Sequence, residues 1–261
     1  MAHPTSGFYI KDGHEYVSVS SVLGETSEIF EPGKAKGLEF WRRSEPDWED
    51  IVQRAQHRGK IIHAEIEGSL LGIGTEGHED AATYEEIVRY NIHEYVHYID
   101  PLLQEIKKEN TDGDKLKENM VLEGVLFCPQ GYAGTADARF TWDGQYTIWD
   151  WKTVRSYKEY DDHAKGKKTK PMSKYKEAFL QLGAYALAHN IAVKAGEFDT
   201  LITQGVICVC YDWREPQLHI LDKGKMKQAV LGFVERFEAY CEIHKTAFPR
   251  PVKESAEELL S

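Results

Sequence analysis

Polar and apolar residues alternate on both sides of the dipeptide Asp143-Gly144, over residues 134–142 and again over 145–152. Alternation with a period of two is the mark of a half-buried strand, and Asp-Gly between two such runs is a hairpin turn. A shorter copy of the pattern spans residues 8–19 around Asp12-Gly13. Residues 121–127, 204–213 and 217–221 are also strand-like, with Glu123 set between apolar neighbours in the first of these. Elsewhere the apolar spacing is helical. Trp48, Ile51, Val52, Ala55, Ile62, Ile66 and Leu70 predict a long helix over 46–71, with Pro46 in its first turn and Gly72 at its end. Tyr84, Ile87, Val88, Tyr95 and Ile99 predict a second, which Pro101 ends or kinks. Further helices are expected over 33–43, 173–193 and 225–244, and Ser20-Ser21 is a candidate cap for one after the first hairpin. Residues 110–117 and 156–176 are polar connections, and 248–261 forms a tail.

The order of these elements is helices, three strands, a polar connection, a helix, a strand pair and a last helix. It predicts an α/β fold with a mixed central β-sheet flanked by helices and an N-terminal helical part. At 261 residues with 41% hydrophobic content, one domain suffices: residues 8–115 as its N-terminal part, 118–247 as a sheet core, then the tail.

A net charge of −11 argues against a basic surface coat for gripping duplex DNA, so any nucleic-acid contact must be local. Residues 156–176 break the acidic trend with seven lysines, Lys167, Lys168, Lys170 and Lys174 among them, a solvated loop or a phosphate-binding one. The four cysteines contain no C-x-x-C pair. Cys208 and Cys210 share a strand face and could join Cys128 on a metal, but buried free thiols are the simpler expectation. The N-terminal residues show neither the apolar core of a signal peptide nor the arginine-rich character of a transit peptide. The expectation is a cytoplasmic protein, in a bacterium or a phage-infected host cell, with no membrane partner.

The second run of the central hairpin ends in Asp150-Trp151-Lys152. Strand alternation puts Asp150 and Lys152 on one face, and Asp137 stands on the neighbouring strand. Such a set can hold a divalent cation and act on a water beside it. A D-x-K triplet alone is close to chance in a chain rich in both residues, and a lone helical histidine such as His63 is more often a surface or core residue than a ligand. The ordered set carries more: His63, Glu123, Gly134-Thr135-Ala136-Asp137, Asp150-Trp151-Lys152 and Gln181-x-x-x-Tyr185.

That set resembles the PD-(D/E)xK nuclease superfamily in its RecB-like branch. Residues 16–23 (YVSVSSVL), 58–67 and 148–153 (IWDWKT) are similar to the mitochondrial genome maintenance exonuclease and its phage relatives. The resemblance covers roughly residues 8–245 and is densest around the acidic set. It implies that Asp137 and Asp150 hold Mg²⁺ or Mn²⁺ with the Trp151 carbonyl and His63. It also implies that Lys152 positions or deprotonates the attacking water, that Glu123 serves a second metal or orients the site, and that Gln181 and Tyr185 support Lys152 or the nucleic-acid strand. Iron-sulfur members of the branch need a late cysteine cluster that this chain lacks, so no such cluster is expected. The implied activity is a metal-dependent DNA exonuclease favouring single-stranded ends, with a recombination or replication protein as a conceivable partner. A structure-specific endonuclease or resolvase, a non-cleaving nucleic-acid-binding recombination partner, and a coincidental acid cluster are the competing readings.

Overall fold

A computed structural model describes residues 7–73, 81–112, 115–154 and 171–245 of the chain. Strands β1 (Phe8–Lys11) and β2 (His14–Ser18) form the first hairpin, with Asp12 and Gly13 both at positive φ in its turn. Helix α1 (Val19–Glu25) follows directly. Its cap is Ser18, whose hydroxyl accepts from Ser21 N at 3.0 Å, so the cap lies two residues before the expected serine pair. Then come α2 (Ser27–Phe30), α3 (Lys34–Ser44) and α4 (Trp48–Leu71), the last closed by Gly72 in the left-handed conformation.

The second predicted helix is two. A break at Tyr90 and Asn91, with Asn91 at φ 52°, separates α5 (Tyr84–Arg89) from α6 (Ile92–Glu109). Pro101 does not end α6 but lies inside it. Tyr95, Ile99, Leu103 and Ile106 form one buried stripe across the proline, and that packing outweighs a lost backbone bond. The polar connection after α6 contains two short paired segments, β3 (Thr111–Asp112) and β4 (Lys115–Leu116).

The remaining strands are β5 (Val121–Cys128), β6 (Tyr132–Trp142), β7 (Gln145–Val154), β8 (Gln204–Tyr211) and β9 (Gln217–Leu221). The main sheet is mixed, in the order β1-β2-β6-β7-β8-β9 with β5 also on β6. Pairing of β2 with β6 and of β7 with β8 is parallel, and the other pairs are antiparallel. Helices α7 (Lys176–Lys194) and α8 (Lys223–His244) cover one face with α1, while α4 and α6 cover the other. This is the expected mixed sheet flanked by helices.

Helix α7 is buried on almost every side, because α8 covers the flank that the sheet does not. The contact is close at Gly183, where a Cβ would meet the Ala229 carbonyl carbon at 2.3 Å. Helix α4 is divided differently. Its buried residues begin at Ile61, so the first half extends from the body and the second lies on the sheet. Among the described residues, no helix is long and apolar enough to cross a membrane.

One irregularity in the sheet separates its two central strands. β5 lies along one edge of β6 from Tyr132 to Arg139. On the other edge, β2 pairs only with Tyr132 and Ala133, and β7 only from Ala138 to Trp142. Residues 134–137 thus face a gap. Beyond Trp149, β7 leaves β6 and continues along β8 to Val154. The two central strands part into a fork, with Asp137 on one prong and Asp150 on the other.

Candidate metal centre in the strand fork

Backbone groups exposed by parting strands need new partners. At the fork they find side chains. Trp151 N donates to Asp137 Oδ2 at 2.7 Å, so a carboxylate replaces the missing ladder bond. The Trp151 carbonyl accepts from His63 Nε2 at 3.0 Å. Since a carbonyl can only accept, Nε2 carries the proton and His63 turns Nδ1 toward the acids. Nδ1 lies 3.8 Å from Asp137 Oδ2 and 3.9 Å from Glu123 Oε1. His63 comes from the first turn of α4 that is anchored on the sheet, next to the buried Ile61 and Ile62.

Glu123 faces Asp137 in the β5–β6 register but is itself unpaired, at φ 47°. A non-glycine residue in this region costs about 1–2 kcal/mol. The ribbon also rolls over here. Tyr132 and Ala136 pack under α7, whereas Ala138 and Phe140 pack under α4 and α6. On β5, Leu126 and Cys128 go with the first group and Leu122 with the second. Glu123 and Asp137 occupy the point of inversion, which explains how they reach His63 on the far side of the sheet.

Ligand atoms of His63, Glu123 and Asp137 all lie within 4.8 Å of one another, a spacing that could hold a metal ion. Two carboxylates and an imidazole suit Mg²⁺ or Mn²⁺, with the nitrogen tilting the preference toward Mn²⁺. The expected ligand set named Asp150 where this group has Glu123. Asp150 is only 4% exposed and is engaged by Lys152, whose Nζ donates to Oδ1 at 2.7 Å. Its Oδ2 is as close to the ammonium but is buried without an aligned hydrogen bond, an acceptor left to complete. The Trp151 carbonyl, expected to face the metal, is shared with His63.

The charges are interdependent. Burial would lower the His63 pKa, but Asp137 and Glu123 outweigh it and raise it to about 9. Burial pushes Asp150 up, and Lys152 opposes this. Burial also acts to lower the Lys152 pKa, yet Asp150 and Asp137 overcome it and hold the ammonium above its ordinary value. Without a metal, Lys152 at neutral pH is therefore a charged hydrogen-bond donor.

Tyr185 is 7% exposed and lies over Gly134, where a Cβ would meet its ring at 2.4 Å. It is a floor beneath the fork more than a surface for a strand. Gln181 stands one turn earlier on α7, half-buried. Lys174 is exposed in the 3₁₀ turn Met172–Tyr175, beside Lys152. Lys167, Lys168 and Lys170 lie outside the described residues. The cysteine alternative fails: Cys208 and Cys210 are in one core and Cys128 in the other, all buried free thiols.

Sequence reading missed the approaches to the site. A cleft of about 390 Å³ joins Lys152 to Lys34, Lys174 and Lys176, and a second of about 510 Å³ joins Lys152 to His63, Gln56 and Lys60. Lys34 of α3 pairs with Glu177 at the start of α7, which brings α3 against the first cleft. No local signal links residues so far apart in the chain. A scan of protein-family models finds no match to this chain, and a search of curated proteins finds no relative.

Proposed function

We propose that the protein is a divalent-metal-dependent deoxyribonuclease that hydrolyses phosphodiester bonds from single-stranded DNA ends. One observation carries the reading: His63, Glu123 and Asp137 converge in the fork while Lys152 stands beside the buried Asp150. The sheet is interrupted at the place where acids from β5, β6 and β7 meet, and Glu123 is held there in a strained conformation. Strain and unpaired buried acceptors concentrate at functional sites, since folding alone selects against them.

The donors fit Mg²⁺ or Mn²⁺. His63 Nδ1 and the Glu123 and Asp137 carboxylates would hold the ion, and Asp150 Oδ2 is the further acceptor. The bound ion supplies a Lewis acid that lowers the pKa of water and neutralises charge on the phosphate. The chain's own groups do the rest. Trp151 fixes the histidine tautomer through its carbonyl, which leaves Nδ1 for the ion. Lys152, charged and oriented by Asp150, donates to the attacking water or to a non-bridging phosphate oxygen. Water oxygen bonds to phosphorus, the bond to the leaving oxygen breaks, and a proton passes to that oxygen. Lys34 in the first cleft is paired with Glu31 and Glu177, so Lys174 and Lys176 there, and Lys60 in the second cleft, are the local cations that would hold one strand on a protein of net charge −11.

The test is digestion of linear single-stranded DNA labelled at either end, with Mn²⁺, beside a circular single strand. Loss of the linear substrate with survival of the circle is expected, and Asp150→Asn should abolish it. Cleavage of the circle would instead favour the endonuclease reading. An intact linear substrate, with no Mn²⁺ binding by calorimetry, would favour a non-cleaving binding protein.

A further inference from the structure

Arg139 is buried to 3% exposure on β6, yet no carboxylate pairs with it among the described residues. Its NH1 donates to His189 Nδ1 at 2.8 Å, and its Nε is buried without a partner. His189 cannot supply the missing charge. Burial, with Arg139 beside it, drives its pKa down to about 4, and its Nε2 donates to the Thr200 carbonyl at 2.8 Å. The ring of Phe198, 5.2 Å from the guanidinium, is neutral as well. A buried guanidinium with only neutral partners is costly unless an anion completes it. A carboxylate is the anion whose geometry matches a guanidinium.

Arg139 lines a cavity of about 310 Å³, with Tyr146 and Phe198 as apolar walls. Glu118, Glu197 and Asp199 are exposed at the same cavity. The cavity is thus cationic inside and acidic at its opening. Such a rim repels phosphate and polyanionic strands and attracts a cation. We infer that this cavity binds an α-carboxylate borne on a cationic body, with the carboxylate on Arg139 and the positive end among the rim acids. Free lysine or arginine has this chemistry, as does a peptide chain ending in a basic residue. The binding is independent of the proposed hydrolysis and is read without metal or DNA.

The experiment is thermal unfolding and calorimetry of the whole protein with L-lysine, L-lysinamide, inorganic phosphate and a short peptide ending in lysine. At saturation, lysine should raise the melting temperature by roughly 2–4 °C. Lysinamide, which lacks the carboxylate, and phosphate should leave it unchanged. Glu197→Gln and Asp199→Asn are surface changes, and each should weaken lysine binding about two- to fivefold. Arg139→Gln should abolish it, and if that variant does not fold the amide and rim comparisons decide. Tighter binding of the peptide identifies a chain terminus as the source, and tighter binding of lysine a free amino acid. Equal shifts from lysine and lysinamide, or no shift with either lysine or the peptide, overturn the inference.

Discussion

The two ends of the β6–β7 hairpin obey different rules. Near the turn, Ala138 to Trp142 ladder with Gln145 to Trp149, and Phe140, Trp142 and Trp149 interlock at centroid distances of 5.2 Å. The backbone there is paired mainly strand to strand, with Asn110 completing the outward N–H and carbonyl of Thr141. A few residues on, the strands separate and side chains take over: Asp137 accepts from one backbone group of Trp151 and His63 donates to another. One end is built for stability. The other keeps buried charge and a strained glutamate, both of which act against stability. The contrast supports the proposed site without reference to any relative.

Substitutions should split along this line. Asp150→Asn is expected to cut the proposed nuclease activity at least 10²-fold with only a small fall in melting temperature, because it removes a desolvated charge and at the same time the partner of the half-exposed Lys152 ammonium. A large loss of stability with that change would mean that Asp150 belongs to the structural end. Trp149→Ala, at the laddered end, should cost about 3–5 kcal/mol in denaturant unfolding, since Trp149 is wholly buried in an aromatic stack. The pH dependence comes next. The folded His63 pKa is raised, so its contribution to stability is full below the unfolded value near 6.5 and is lost as pH rises through about 9. Metal-free protein should therefore lose on the order of 1–3 kcal/mol across that window, and Mn²⁺ affinity should rise over the same range as the proton leaves. His63→Ala should flatten both curves.

Smaller effects test the boundary between the ends. Gly134→Ala forces the Tyr185 ring away from the fork and should cost roughly 1–3 kcal/mol. Glu123→Gly should relieve about 1 kcal/mol of backbone strain and, in the same protein, weaken Mn²⁺ binding measured by calorimetry. Stability and affinity moving together would show that Glu123 is held there for packing.

Period and punctuation made most of the fold legible. The central hairpin, the long helix closed by Gly72 and the final helix all have strong local causes. The break at Asn91 and the survival of α6 through Pro101 were not legible, because tertiary packing of Tyr95, Ile99 and Leu103 overrides what the proline does locally. Of the candidate site, the residue types and their order stood in the sequence. Their grouping did not: alternation could not foresee the inversion at Glu123 and Asp137, nor that Lys152 would engage Asp150 and leave Glu123 in the cluster with His63.

By itself the sequence determined the elements and which polar residues had no structural reason to lie in strands, since both follow from side chains a few positions apart. Only the tertiary structure decided that β6 and β7 part at Asp137 and Asp150, that His63 reaches through the gap, and that Lys34 borders a cleft ending at Lys152. Those facts depend on where β8 leads β7 and where α4 settles on the sheet, and long-range pairing leaves no trace in local periodicity.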